Sequence, residues 1–160
     1  MTTSFGALLR ALDAASVEFI LIGGLAAAAH GSVRATYDVD VLYRRAPDNL
    51  GRLVAALAPL KPYPRGAPPG LPFTWSVETL AHGLNFTLTT TAGDIDLLGE
   101  VTYGGIYERL VPDTEIIGAF GIRCRCLLLE RLIEVKRAAG RPKDLEAIAE
   151  LEAIAEERRR

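Results

Sequence analysis

The chain has 160 residues, 49% hydrophobic and 24% charged, enough for one globular domain with a substantial core. A formal net charge of −2 excludes a chain held to nucleic acid by bulk positive charge, though a local basic patch remains open. No basic start leads into a long apolar run and no apolar stretch could cross a bilayer, so a cytoplasmic protein without a membrane partner is expected.

Residues Ser4 to Ala15 place Leu8, Leu9 and Leu12 at helical spacing and predict an amphipathic helix packed on a sheet. Val17 to Ile22 is an apolar run suited to a buried strand. Gly23 and Gly24 stop it and open a short helix of Leu25 and four alanines, whose free N–H groups would favour an anion. His30 ends that helix next to Gly31, where it complements the dipole while Gly31 takes a left-handed cap, a structural role. A second strand is predicted over Tyr37 to Leu42. Asp38 and Asp40 then share one face of it, and Val39 and Val41 the other. Two acids pointing together need a cation between them, and carboxylate oxygens suit Mg²⁺. The bland alternative is an arginine, such as nearby Arg34, which could steady Asp38 or hold a phosphate; Thr36 precedes the same strand.

Pro47-Asp48-Asn49 begins a helix in which Leu50, Leu53, Val54 and Leu57 repeat at helical period up to Pro59. From Lys61 to Pro72 the prolines and glycines predict a loop of limited freedom. It is either a substrate-side platform carrying Tyr63 and Arg65 or a plain connector. Leu84 to Thr90 alternates as a half-buried strand, and Thr91-Ala92-Gly93 turns it into Asp94 to Leu98. Phosphoryl chemistry on two metals wants a further carboxylate. Asp96 is preferred, because an unpaired acid in mid-strand is costly, whereas turn chemistry accounts for Asp94. Ile116 to Cys126 is a further hairpin, with Cys124 and Cys126 on one strand face rather than in a metal site or disulfide.

Two helices are predicted to end the chain, Leu127 to Ala139 and Pro142 to about Glu157. On the first, Leu128, Leu129, Leu132, Ile133, Val135 and Ala139 form an apolar stripe. Lys136 falls inside that stripe and so either snorkels out or meets an anion. Arg141, Lys143 and Asp144 follow, at the start of the last helix.

An apolar run, Gly23-Gly24, a gap, then Asp38-Val39-Asp40 resembles the signature of the nucleotidyltransferase (polymerase-beta-like) superfamily. His30-Gly31, Arg34, Thr36 and the Lys136, Arg141, Lys143, Asp144 pattern are most similar to small bacterial nucleotidyltransferases of abortive-infection and toxin–antitoxin systems. The resemblance implies an α/β nucleotidyltransferase fold, with a short mixed sheet, helices largely on one side and a C-terminal helical pair. It implies transfer of a nucleoside monophosphate from an NTP such as ATP to a hydroxyl. Two Mg²⁺ ions would sit on Asp38, Asp40 and Asp96, with Asp94 in support. Gly23, Gly24, Arg34, Thr36, Lys136, Arg141 and Lys143 would hold the nucleotide. Asp144 would be an N-terminal helix acid or a partner of Arg34. The implied acceptor is RNA, including the tRNA 3′ end, or a protein hydroxyl, and an antitoxin is the implied partner. Two alternatives stay open: an antibiotic-modifying nucleotidyltransferase, and a non-catalytic binding module of the same fold.

Overall fold

The computed structural model describes residues 2–101 and 105–160, and among them the chain forms a mixed α/β structure around one seven-stranded sheet. Helix α1 (Phe5–Ala14) leads into β1 (Phe19–Ile22), α2 (Gly23–Ala29), β2 (Asp38–Tyr43) and α3 (Pro47–Leu57). Then come β3 (Tyr63–Pro64), α4 (Val77–His82), β4 (Phe86–Thr90), β5 (Gly93–Leu98) and α5 (Tyr107–Leu110). A hairpin of β6 (Thr114–Ala119) and β7 (Ile122–Leu127) precedes α6 (Leu129–Ala139) and α7 (Asp144–Arg158). The strand order is β3-β4-β5-β2-β1-β7-β6. Strands β2 and β5 pair in parallel, as do β1 and β7, and the other neighbours are antiparallel.

The centre of the sheet follows from hydrophobicity. All four residues of β1 are buried, and Val39, Val41, Ile95 and Leu97 of β2 and β5 are fully covered. Helix α1 lies against β2, β5 and β7, its Leu8, Leu9 and Leu12 wholly buried, and it packs on α3, which in turn packs on α4. Ser4 caps α1 by accepting from the Ala7 N–H. The opposite face of β2 and β5 stays partly open, and α6 stands beside it, paired with α7 and touching α2. Cys124 and Cys126 are free thiols buried on β7.

Four features depart from the sequence expectations. The sheet has seven strands and carries helices on both faces, α1 and α3 on one and α6 and α7 on the other, rather than being short with helices largely on one side. The proline-rich segment is not wholly loop: Tyr63 and Pro64 pair with Leu88 and Thr89 and extend the sheet to a seventh strand. Proline can join there because β3 is an edge strand, where the missing donor faces away from the ladder. The last helix starts at Asp144 rather than Pro142, with Arg141 bonded to Asp144 ahead of its first turn. Helices α4 and α5, of six and four residues, are too short for a hydrophobic period to register.

Candidate functional site

The acidic face is built by strand register. Parallel pairing sets Asp38 opposite Asp94 and Asp40 opposite Asp96, so four carboxylates project from two adjacent strands on one face. Oxygen atoms of Asp38, Asp40 and Asp96 all lie within 4.8 Å of one another. Such crowding has a charge cost. Burial, then the neighbouring Asp38 and Asp96, push the Asp40 carboxyl up to about 7, and Lys136 offsets part of the rise. Asp38 is raised in the same way, by burial and then by Asp96, against the pull of Arg65.

A cleft of about 460 Å³ opens over these acids, with Gly23, Asp40, Asn85, Asp96, Glu100 and Lys136 among its walls. Gly23 has φ +67, and a Cβ there would overlap the Asp40 carboxylate, so the turn out of β1 admits only glycine. A Cβ on Gly24 would overlap the Thr36 side chain, which explains a second glycine where a serine would not fit. Helix α2 has no side-chain cap at its start. His30 is buried with Nε2 2.7 Å from the Leu127 carbonyl oxygen, tying α2 to the end of β7, while Gly31 takes φ +112.

Lys136 also borders a second hollow of about 240 Å³, with Gly24, Arg34, Arg141 and Lys143. Two cavities thus meet at Lys136 and Arg141: one acidic at its floor, the other holding four cations beside Asp144 and Glu150. Within the second, Arg34 pairs with Glu146 at 3.4 Å and not with Asp38 or Asp144. Asp144 is 4% exposed and takes Arg141 Nε at 2.8 Å. Burial alone would raise its carboxyl, but the hydrogen bonds and charge of Arg141, helped by Lys136, hold it below the usual range. Asp144 is the first residue of α7, where an acid also complements the helix dipole. The Thr36 hydroxyl donates to the Asp38 carbonyl at 3.3 Å, beneath the Gly-Gly turn rather than in either cavity.

Asp38 is steadied by Arg65, from the proline-rich segment. Its guanidinium lies 2.8 Å from Asp96, 3.3 Å from Asp94 and 3.7 Å from Asp38. Sequence singles out Arg65 only as part of a platform, since its place over the acids depends on β3 joining the sheet. Asn85 and Glu100 line the cleft with no sequence signal of their own.

Three or four carboxylates with a hard oxygen donor set, crowded closely enough to repel, are chemically suited to a divalent cation. Lysine and arginine at the shared wall are suited to phosphate. No helix among the described residues is long and apolar enough to cross a membrane. The chain matches no protein-family model and no curated protein sequence.

Proposed function

We propose that the chain is a metal-dependent nucleotidyltransferase that moves a nucleoside monophosphate from an NTP to a hydroxyl acceptor and releases pyrophosphate. The observation that carries this is the convergence of Asp38, Asp40 and Asp96 within 4.8 Å, in a cleft whose opposite wall carries Lys136. Asp38, Asp40 and Asp96 would hold the metal, which when bound supplies charge stabilisation to the reacting phosphate. Gly23 lets backbone approach the acids closely. Lys136, Arg141, Lys143 and Arg34 would bind the phosphates that leave, in the second hollow, where these four cations outnumber Asp144 and Glu150. Asp96, lining the cleft, would receive the acceptor hydroxyl proton as the oxygen attacks the α-phosphorus and the bond to pyrophosphate breaks. Most of the acceleration would come from positioning and fixed charge.

RNA, the tRNA 3′ end included, or a protein hydroxyl is the proposed acceptor, with an antitoxin-like partner regulating the chain. The test is incubation with α-labelled NTPs and Mg²⁺ alongside total tRNA, cell lysate or aminoglycosides. Label is expected in RNA or protein with the native chain and not with Asp40→Ala. Label in the aminoglycoside instead would assign the small-molecule reaction. The ion pairs of Arg65 favour one other role, a non-catalytic module of this architecture with its acids neutralised internally. Absence of label from every acceptor, with neither NTP nor metal bound, would select that role.

A further inference from the structure

Arg65 is held as part of the sheet, not as a visiting side chain. Its backbone N–H donates to the Thr87 carbonyl at 3.0 Å, continuing the β3–β4 ladder. Pro62 and Pro64 fix φ just before it. Its Nη2 donates to the Leu88 carbonyl at 2.8 Å as well as to Asp96 Oδ1 at 2.8 Å. The side chain is only 27% exposed, and its buried Nε makes no hydrogen bond although Asp94 Oδ2 is 3.3 Å away. A guanidinium never gives up its charge in a protein, so this is a permanent cation on one side of the cluster. It pairs with Asp38, Asp94 and Asp96 and not with Asp40, which feels the charge of Lys136 without forming an ion pair with it.

We infer that Arg65 occupies the place of one of the two divalent ions expected for this chemistry, so that the site takes a single divalent cation; this rests on the metal-dependent reading above. Charge counting agrees. With all four carboxylates ionised, Arg65 and Lys136 leave two negative charges uncompensated, Glu100 and Arg141 of the same cleft cancelling each other, and one divalent ion balances those two. Position agrees as well. A second ion on the Asp38, Asp94 and Asp96 side would have to displace a side chain anchored to a main-chain carbonyl of the sheet. Arg65 is therefore a positioning residue for the acids, and the proline-rich segment is the device that delivers it.

Titration with Mn²⁺ alone, counting bound ions per chain by the loss of the free-ion electron paramagnetic resonance signal, tests the inference. The native chain is expected to bind one ion and Arg65→Met two, while Arg65→Lys, which keeps the charge, stays at one. Arg65→Gln, which keeps a donor for the Leu88 carbonyl, replaces Arg65→Met if circular dichroism shows the latter unfolded, with the same two-ion expectation. Two ions in the native chain, or one in a folded Arg65→Met or Arg65→Gln, overturns the inference. If neither native nor variant binds Mn²⁺, the inference and the metal-dependent reading fall together. If the counts are one and two yet no NTP binds, Arg65 keeps its assignment and only nucleotidyl transfer is lost.

Discussion

Asp40 carries the largest electrostatic cost of the cluster. Its carboxyl is raised from the ordinary value to about 7, so the folded chain holds a proton there that the unfolded chain has released. The sign follows. This contribution favours folding fully below about pH 4 and is lost as the pH climbs through about 7, so the metal-free chain loses stability over that interval. A divalent ion must displace the same proton. Mn²⁺ affinity, followed by calorimetry across that range, is expected to rise with pH and level off above about pH 7. Asp40→Asn removes the repulsion and the ligand together. Its metal-free melting temperature at pH 8 is expected to exceed the native value by roughly 3 °C, with Mn²⁺ binding lost. Gly23→Ala forces a side chain into φ +67 and against Asp40. A loss of about 1–3 kcal/mol in denaturant unfolding is expected, together with weakened Mn²⁺ binding. The acids were legible in the sequence because the two-residue period of a strand fixes which side chains share a face. Arg65 was not, because its contacts with Asp38, Asp94 and Asp96 arise only once distant strands pair.

At the scale of elements, local pattern located β1, β2, β4, β5, the β6–β7 hairpin and helices α1, α3, α6 and α7 to within a few residues. It failed where tertiary pairing overrides local preference. Prolines argue against a strand, yet Tyr63 and Pro64 gain an edge position from β4. Helix α4 did carry a signal, Ser76 as N-cap with Glu78 in the first turn, but six residues are too few to confirm a period. Asn49 was read only as part of a helix start. In the structure it is fully buried: its Oδ1 accepts from the Glu18 N–H, and its Nδ2 donates to the Glu18 and Arg44 carbonyls. It thus joins α3 to the segment entering β1 and the one leaving β2. Asn49→Ala leaves the Glu18 N–H and the Arg44 carbonyl without partners, while the Glu18 carbonyl keeps the Arg44 N–H, and is expected to cost about 2–3 kcal/mol in urea unfolding. Mn²⁺ binding should be untouched, since Asn49 lies away from both cavities.

Across the whole molecule, the sheet is covered on one face by α1 and α3 and left partly open on the other, where α6 and the connection to α7 bring Lys136, Arg141 and Lys143 up beside a floor of acids. Lys136 links the two halves, bordering both cavities and offsetting part of the rise that burial, Asp38 and Asp96 impose on the Asp40 carboxyl. Its place in the apolar stripe of α6 offered either snorkelling or an anion, and only the docking of α6 beside β2 sets it at the edge of the acids. If this arrangement exists to grip a polyphosphate through a divalent ion, then NTP and metal must bind together. Isothermal calorimetry of ATP and the other NTPs, with and without Mg²⁺, on the native chain and on Asp40→Ala measures that coupling directly. Binding of at least one NTP that requires Mg²⁺ and disappears in Asp40→Ala is the expected result. Equal binding without Mg²⁺, or no binding of any NTP by a folded native chain, would contradict it.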